Sequence, residues 1–377
     1  MGTKTIIFLV NVDYFFKSHR LPLAMEGLKR GYKVYLLGKD TGFFREFEAL
    51  GIHTINVPVG RGHGNGLNDL RVLLKLCYYF FKIRPNIIHN ITVKPILFGT
   101  LAAGLFSRKS KVVNAVTGLG YAFASNGRSF TRRMMLFMLK TVFFLSPKKS
   151  QFIFQNRDDL AVYEGYGLVK RGQSKIIKGA GVDEVLFERT VPQTKPNELV
   201  KVTLVSRMLK DKGVFEFVEA AKMLEIKLKG KVLFRLVGGL DLQNPAFIAE
   251  ADLSLLLVEQ YLVWEGHRTD VKAVYEDTDI ACLPSYREGM PKSLIEAMAM
   301  ACPIITTRAP GCQECVDEGI NGYLVPVGDA EILADRILRL VNDAALRIEM
   351  GKASRQKMMR DMSLSKVVSQ TFEVYEA

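Results

Sequence analysis

Short apolar segments alternate with amphipathic segments along almost the whole chain. In the first half the apolar segments read TIIFLVNV, KVYLLG, HTINVPV, NIIHN and KVVNAV. Stretches with helical periodicity, such as RLPLAMEGLKRG and DLRVLLKLCYYFFK, lie between them. Apolar runs of this length are typical of buried strands. Strands that alternate with helices predict a parallel sheet that is covered by helices on both faces.

A polar segment with two prolines interrupts this alternation at residues 189–200, RTVPQTKPNELV, and predicts a linker. The alternation then resumes with the predicted strands KVTLVS, KVLFRLVGG, LVWEG, DIACLP, CPIITT and GYLVP. Helices are predicted over 213–228 and 291–301. Ligands of such sheets bind at the carboxyl ends of the strands.

The pattern therefore predicts an α/β protein of two Rossmann-like, doubly wound domains that face a central cleft. The first domain is predicted over residues 1–189 and the second over residues 190–362. Residues 363–377 are expected to form a C-terminal helix that packs back toward the first domain. A length of 377 residues agrees with two domains rather than one core.

Charge divides the chain more sharply than composition does. Hydrophobic residues make up 48% and charged residues 24%, which is a globular composition. Residues 1–190 carry 29 Lys and Arg against 12 Asp and Glu, a net charge of +17. Residues 191–377 carry 23 against 27, a net charge of −4. The first half is therefore expected to bind an anionic partner, such as nucleic acid, a membrane surface or a phosphorylated substrate.

Several protein classes are disfavoured. The opening MGTKTIIFLVNVD has too short an apolar run for a signal peptide, and no uninterrupted apolar stretch approaches the roughly 18 residues of a spanning helix. Five cysteines are too few for a disulfide scaffold and indicate a reduced cytosol. Cys312 and Cys315 form a CxxC, but no second pair completes a zinc site. The first strand–helix turn, NVDYFFKSH, lacks the GxGxxG of nicotinamide dehydrogenases.

Two glutamates stand eight positions apart in DIACLPSYREGMPKSLIEAM, which runs from a strand into a helix. Glu288 precedes the helix and Glu296 lies inside it, with Pro291 suited to the first turn. The amides between them form a helix N-terminus, which binds anions; they belong to Gly289, Met290, Lys292 and Ser293. A phosphate site with a carboxylate on either side fits a nucleotide sugar. The alternative is a turn residue and a solvated helix residue.

Two cations and two glycines follow other strands of the second half. VSRMLKDKG places Arg207 and Lys212 at a strand end, where they can stabilise a departing diphosphate. LVGGLD places Gly238 where backbone can approach a ligand closely. The acidic pair of DTD, residues 277–279, mimics a metal-binding motif, but its position at a helix end and a strand start disfavours a cation site.

SRMLKDKG, GAGVD, DIACLPSYREGMPKSLIEAMAMACPIITTRAPG and EGINGYLVP resemble the signatures of the family-four retaining glycosyltransferases of the GT-B fold. The resemblance implies that Glu288 contacts the hydroxyls of the donor sugar and that Glu296 binds the ribose. It assigns the diphosphate to Arg207 and Lys212. Transfer with retained anomeric configuration and without a metal or other cofactor is implied as well.

VTGLGYAF and FFKSHR resemble bacterial transferases that extend sugars on undecaprenyl diphosphate, including N-acetylgalactosaminyl- and galactosyltransferases. This resemblance implies a UDP-sugar donor, a hexose or N-acetylhexosamine, and a lipid-linked acceptor. Many family members have a Gly-Gly pair in the first loop and a histidine at position 117, both of which this chain lacks. Thr117 and Gly118 keep a predicted donor contact through their backbone. The predicted acceptor-binding residues are Asn11, Lys17, Ser18, His19 and Arg20.

Two stretches of the basic half combine cations with Phe, Leu and Met, namely residues 71–84 and 128–149. Such helices lie in membrane interfaces, and Arg132, Arg133 and Lys140 are the predicted membrane contacts. A peripheral location on the inner face of the cytoplasmic membrane is therefore expected. The alternative is that both stretches are sheet-covering helices with snorkelling cations.

Three further alternatives remain open. A nucleic-acid-binding role would explain the charge but not the glutamate motif, and no recognition signature is present, so no nucleic-acid partner is expected. A nucleotide-sugar epimerase on a related fold would need no second substrate. The same transfer chemistry could use a soluble sugar or small molecule as acceptor.

Overall fold

The computed structural model describes residues 3–60, 66–118, 130–147, 150–170, 172–190, 198–242 and 244–377. The chain divides into two compact units, Met1–Ala180 with Ser365–Ala377, and Gly181–Leu364. The division precedes the predicted boundary at residue 189 because Arg189 belongs to the second unit. Its guanidinium donates to the carbonyls of Met300, Glu276, Tyr275 and Thr278 at 2.6–2.8 Å.

The described part of the first unit contains one parallel sheet in the order β3-β2-β1-β4-β5-β6-β7. Its strands are β1 Thr5–Val12, β2 Lys33–Lys39, β3 His53–Asn56, β4 Ile87–Ile91, β5 Lys111–Val116, β6 Gln151–Phe154 and β7 Ser174–Ile176. Its helices are α1 Asp13–His19, α2 Leu21–Lys29, α3 Phe44–Ala49, α4 Gly66–Ile83, α5 Val93–Phe106, α6 Phe130–Phe144 and α7 Arg157–Gly165.

The second unit repeats this design with the strand order β10-β9-β8-β11-β12-β13, again parallel throughout its described residues. The strands are β8 Val200–Val205, β9 Val232–Val237, β10 Leu262–Trp264, β11 Ile280–Leu283, β12 Ile304–Thr307 and β13 Gly322–Val325. The helices are α8 Val214–Leu228, α9 Glu250–Ser254, α10 Val271–Glu276, α11 Lys292–Ala299, α12 Ala330–Asn342 and α13 Ala344–Asp361. The last helix, α14 Leu364–Glu376, returns to the first unit.

Both sheets reverse their strand order once, between β1 and β4 and between β8 and β11. Crossover helices lie on opposite faces of the sheet on the two sides of such a reversal, so a crevice opens at the carboxyl ends of the two strands. Buried apolar side chains fill both faces of the first sheet, and all of β1 is buried. The residues that the motifs singled out in the second half follow β8 and β11, the two strands at this reversal.

The predicted strands occur where the pattern placed them, but the prediction for the first strand–helix turn was wrong. NVDYFFKSH was predicted as a loop, whereas Asp13–His19 forms α1. The carboxylate of Asp13 is fully buried and accepts hydrogen bonds from the amides of Tyr14, Thr41 and Phe43 and from the Thr41 hydroxyl. Burial acts to raise the pKa of Asp13, yet these hydrogen bonds bring it below its usual value. The helix therefore begins directly after β1.

The C-terminal helix α14 completes the core of the first unit. Val367, Phe372 and Val374 are buried in the same apolar cluster as Ile6 and Phe8 of β1. Ion pairs fix its exposed side, with Lys175 2.5 Å from Glu373 and Arg30 3.3 Å from Glu376. The end of the chain is thus part of the first unit's structure.

Candidate active site

The loops after β8 and β11 are joined at the point where the second sheet reverses. The carbonyl of Asp211 accepts hydrogen bonds from the Tyr286 amide and the Ser285 hydroxyl, both at 2.9 Å. Gly213 has a φ of +72°, and a Cβ there would lie 2.1 Å from the carbonyl oxygen of Pro284. A side chain would therefore force the two loops apart.

Lys212 and Glu288 form an ion pair between these two loops. The Lys212 Nζ lies 2.5 Å from Oε1 of Glu288, and the side chains are 13% and 16% exposed. The Ser285 hydroxyl oxygen lies 3.2 Å from the same carboxylate oxygen. Partial burial strengthens this attraction relative to a surface pair. The structure thus brings together two residues that the sequence singled out separately, at the carboxyl edge of the sheet.

The loop after β12 holds the backbone of Glu288. The Glu288 amide donates to the carbonyl of Pro310 at 3.0 Å. Gly311 has a φ of +79°, and a Cβ there would lie 2.4 Å from the Glu288 carbonyl oxygen and 2.6 Å from that of Gly289. Sequence reasoning missed this support, although a Pro-Gly pair after a strand marks a tight turn.

Gly311→Ala is expected to displace Glu288 and to lower both the melting temperature and the activity. Gly319→Ala is the matched control, because Gly319 has a similar φ of +75° but no atom within 4 Å of its Cβ position. The control should show only the cost of positive φ, about 1–2 kcal/mol. Thermal unfolding and an activity assay compare the two variants. Equal losses in both would show that the contact with Glu288 is unimportant.

Helix α11 presents backbone amides at this edge of the sheet. The helix begins at Lys292 rather than at Pro291, which is extended and occupies the N-cap without a capping side chain. In the described part of the chain, the amides of Met290, Lys292 and Ser293 have no acceptor within the protein. An uncapped helix N-terminus of this kind favours an anion.

Glu296 is buried, so the interpretation as a solvated helix residue is wrong. Its residue exposure is 7%, and Oε1 lies 3.1 Å from Nζ of Lys292, one turn earlier. Burial raises the pKa of Glu296, while the charge of Lys292 acts in the opposite direction. Burial, with the charge of Glu296, also raises the pKa of Tyr275 well above its usual value. A carboxylate kept in such surroundings needs a hydrogen-bonding partner to offset desolvation.

Arg207 pairs with a carboxylate other than Glu288. Its Nη1 contacts Oδ2 of Asp241, and the arginine side chain is 51% exposed. Gly238 precedes Asp241 at the end of β9, with a φ of +145°, and a Cβ there would lie 1.7 Å from the Ser206 carbonyl oxygen. The two predicted diphosphate cations therefore have separate partners. Asp241 was missed, although it closes the LVGGLD stretch.

The two aspartates of DTD, Asp277 and Asp279, take part in contacts within the second unit. Asp277 contacts Nζ of Lys201 and lies 3.5 Å from Nη1 of Arg235. Asp279 accepts a hydrogen bond from the Lys201 amide at 2.8 Å, and burial raises its pKa. Within the described residues, no group of three or more His, Cys, Asp and Glu side chains is arranged to hold a metal ion.

The cysteines are unbridged and buried, including the CxxC pair of Cys312 and Cys315. Burial raises the pKa of Cys312 to about 12. A thiol in this state is a poor nucleophile and a poor metal ligand at neutral pH.

The predicted acceptor residues lie at the carboxyl edge of the first sheet. Asn11 donates to the Val59 carbonyl at 3.1 Å and accepts from the Thr92 hydroxyl across the reversal between β1 and β4. On α1, the Lys17 ammonium lies 2.7 Å from Glu46. The Ser18 hydroxyl and His19 Nδ1 are 2.6 Å apart. These side chains of α1 keep solvent exposure.

Arg20 differs from its neighbours because it faces the interior of the first unit. Its residue exposure is 6%, it donates to the His19 carbonyl at 3.1 Å, and burial lowers its pKa to about 10. His89 of β4 is buried nearby and lies 2.5 Å from the hydroxyl of Tyr375 on α14. Burial, followed by the charge of Arg20, lowers the pKa of His89 well below its usual value. The predicted role of Arg20 in acceptor binding therefore rests on a buried guanidinium.

The remaining predicted residues lie at other places in the first unit. Thr117 and Gly118 follow β5, and both are partly exposed. Arg133 and Lys140 are exposed on α6, while the side chain of Arg132 lies outside the described residues. No helix in the described ranges combines the length and the apolar character that a bilayer span requires.

Comparison with known proteins identifies the class that this site and fold define. Residues 187–357 match the family model described as Glycosyl transferases group 1, and residues 5–156 match that described as Glycosyl transferase 4-like. The chain is therefore a glycosyltransferase of the GT-B fold. Its first unit carries the 4-like domain and its second unit carries the group 1 domain.

Three curated relatives align over nearly their full length. One is the N,N'-diacetylbacillosaminyl-diphospho-undecaprenol alpha-1,3-N-acetylgalactosaminyltransferase of Campylobacter jejuni, 29% identical, with 94% of this chain and 93% of that protein covered. The capsular polysaccharide biosynthesis glycosyltransferase CapM of Staphylococcus aureus is 27% identical, with 96% and 94% covered. The UDP-Gal:alpha-D-GlcNAc-diphosphoundecaprenol alpha-1,3-galactosyltransferase of Escherichia coli is 24% identical, with 91% and 89% covered.

Two solved structures share the fold over the whole chain. A glycosyltransferase from Rickettsia africae has a TM-score of 0.77 at 19% identity, with 100% of this chain and 98% of that chain covered. Anabaena HepE in complex with UDP and glucose has a TM-score of 0.77 at 18% identity, with both chains covered completely.

Proposed function

We propose that this protein transfers a hexose or N-acetylhexosamine from a UDP-sugar to a sugar on undecaprenyl diphosphate, with retained configuration and without a metal. The observation that carries the proposal is the Lys212–Glu288 pair, which lies where the second sheet reverses. The names of two relatives, an N-acetylgalactosaminyl- and a galactosyltransferase acting on diphospho-undecaprenol, support the acceptor. The HepE complex supports UDP as the nucleotide.

The chemistry follows from where charge develops. As the bond between the anomeric carbon and the β-phosphate oxygen breaks, negative charge grows on the diphosphate. Lys212, Arg207 and the first amides of α11 stabilise that charge. Glu288 accepts hydrogen bonds from hydroxyls of the transferred sugar and holds the Lys212 ammonium in place. With retention, the acceptor hydroxyl attacks from the leaving-group face, so the departing phosphate oxygen can take its proton.

Glu296 is proposed to bind the ribose hydroxyls. Hydrogen bonds to a buried carboxylate are charge-assisted, and losing them costs about 1.5–3 kcal/mol. We therefore expect Glu296→Gln to weaken UDP binding by about 10- to 100-fold. Isothermal titration calorimetry with UDP measures this, with Glu219→Gln on the exposed face of α8 as the control. Unchanged affinity would remove Glu296 from the nucleotide site.

The same residue predicts a pH dependence. Burial raises the pKa of Glu296, so acidification protonates it at a higher pH than an exposed glutamate. UDP affinity of the wild type should fall on acidification through that raised pKa, because the protonated group accepts hydrogen bonds less well. UDP itself also titrates, so the pH profile of UDP affinity is compared between the wild type and Glu296→Gln. The variant should lack the part of the decrease that comes from protonation of Glu296. Parallel pH profiles of UDP affinity in the wild type and in Glu296→Gln would contradict this pH dependence of Glu296.

The acceptor is proposed to be reached from the membrane. A polyprenyl diphosphate lies at the leaflet surface, and the +17 charge of residues 1–190 favours an anionic inner face. Arg132, Arg133 and Lys140 of α6 are the contacts proposed from the sequence. A soluble acceptor remains the second candidate, and an epimerase is the third.

A panel of labelled nucleotide sugars with a bacterial lipid extract tests the proposal. Label from one UDP-sugar should enter the butanol-soluble lipid fraction, and only when both protein and extract are present. Label appearing in a soluble sugar would favour the second candidate. Conversion of the nucleotide sugar to its epimer without any acceptor would favour the third.

A further inference from the structure

The outer face of α4 carries a row of exposed large apolar side chains. Leu67 is 72% exposed, Leu70 52%, Leu74 60%, Tyr78 56% and Phe81 58%. At 100° per residue these positions fall within an arc of about 80° and form one continuous row, called here the α4 stripe. Single exposed apolar residues are ordinary, but a contiguous row marks an interaction surface.

The opposite face of α4 packs against the first sheet. Val72, Leu76, Cys77 and Phe80 are buried against the first sheet in one apolar cluster. The helix is therefore fixed by one apolar face while it presents a second to the outside. A helix that only covered the sheet would be polar on its outer side.

Cations flank the α4 stripe on one side. Around the helix, Arg71, Lys75 and Lys82 lie about 20–60° beyond the edge of the stripe, and all three are exposed. Lys75 donates to the Asn56 carbonyl at 3.1 Å, whereas Arg71 and Lys82 are exposed beside the stripe. Asp69, the one acidic residue of α4, is 3.4 Å from Lys94.

We propose that the α4 stripe inserts into the headgroup layer of an anionic lipid bilayer while Arg71 and Lys82 contact lipid phosphates. The lysine ammonium at position 82 lies 5.7 Å from the ring centre of Tyr78, so apolar and cationic groups are adjacent, as an interfacial helix requires. The cations beside the α4 stripe favour a phosphate-bearing surface as the partner. A second copy of the protein is disfavoured, because the basic first units of the two copies would repel each other. The inference rests on the proposed function in that the acceptor is membrane-bound.

The main membrane contact is thus placed on α4, whereas the contacts predicted from the sequence, Arg132, Arg133 and Lys140, lie on α6. Helix α5 packs against both α4 and α6, so α6 is the neighbouring candidate for membrane contact. On α6, Phe137 and Phe144 are 71% and 88% exposed. Met134 and Met138 of α6 are also exposed, at 50% and 42%, but α4 is the longer helix, with 18 residues against 15, so the main insertion is assigned to the α4 stripe.

Vesicle co-sedimentation of the full-length protein, without substrates, tests the assignment. Wild type should bind vesicles containing phosphatidylglycerol, bind phosphatidylcholine vesicles weakly, and detach at high salt. Leu74→Gln with Tyr78→Gln and Phe81→Gln should reduce binding at least about tenfold, with the melting temperature unchanged because the side chains are exposed. The matched control is Ile226→Gln with Leu255→Gln, which removes exposed apolar side chains from the second unit.

Two further pairs of substitutions test the role of the cations and distinguish the α4 stripe from α6. Arg71→Glu with Lys82→Glu should abolish the preference for anionic lipid. Phe137→Gln with Phe144→Gln on α6 should reduce binding less than the α4 change does. The inference is overturned if wild type ignores anionic vesicles, if the α6 change has the larger effect, or if light scattering shows a dimer that the α4 change dissociates. Vesicle binding that persists in the absence of any lipid-acceptor transfer would refute the proposed function and leave the docking surface intact.

Discussion

Glu288→Gln is expected to lower the rate of sugar transfer at least about 100-fold while UDP still binds. Glutamine keeps the shape of the side chain but removes the charge that holds Lys212 at 2.5 Å and accepts hydrogen bonds from the sugar. Both interactions gain importance as charge develops in the transition state, so the loss should appear in kcat rather than in nucleotide affinity.

Kinetics of transfer and calorimetry with UDP measure the two effects separately. Glu219→Gln on α8 is the control for the general loss of a carboxylate from the second unit, since this residue is exposed. If Glu288→Gln retains near-normal turnover, or if it loses UDP binding and turnover in proportion, Glu288 does not contact the transferring sugar.

Lys212→Ala is expected to lower kcat about 100- to 1,000-fold, comparable to the removal of an electrostatic contact to a developing anion. Because the ammonium is largely buried, its loss also leaves the Glu288 carboxylate without a counter-charge, and the melting temperature should fall. Combining Lys212→Ala with Glu288→Gln should recover part of that stability but none of the activity. Lys210→Ala, in the same turn but exposed, is the matched control.

Arg207→Ala should lose rate with little change in melting temperature, because half of the Arg207 side chain is exposed. EDTA should leave the wild-type rate intact, since protein cations and amides carry the charge stabilisation in this proposal. Activity that EDTA abolishes and manganese restores would overturn this role of Lys212 and Arg207. It would instead favour metal binding by Asp277 and Asp279.

The periodic elements could be predicted because burial and period are local properties of the sequence. TIIFLVNV gave the bounds of β1, and the motif helix was placed to within two residues at either end. The four-residue β6 and three-residue β7 were missed, since they are too short to show a period. Helix α1 was missed because its start depends on Asp13 bonding to residues some 30 positions later.

The site was predictable in its residue types but not in its pairings. Strand-end positions indicated that Lys212 and Glu288 share an edge, yet nothing local showed that they form one ion pair across 76 positions. Asp241 and Gly311 act through contacts with Arg207 and with the Glu288 backbone, which only the folded loops create. The burial of Arg20 was not predicted from the sequence, and its pKa is influenced by Tyr375 of α14, at the other end of the chain.

Transfer of label from a UDP-sugar to a polyprenyl-diphosphate-linked sugar, measured in EDTA by partition into butanol, tests most directly whether this site performs the proposed reaction. Wild type and Glu219→Gln should label the lipid fraction at equal rates, while Glu288→Gln and Lys212→Ala should label it at least about 100-fold more slowly. Lipid labelling that requires added metal, that proceeds unchanged in both site variants, or that is absent while a soluble sugar becomes labelled would contradict the proposal.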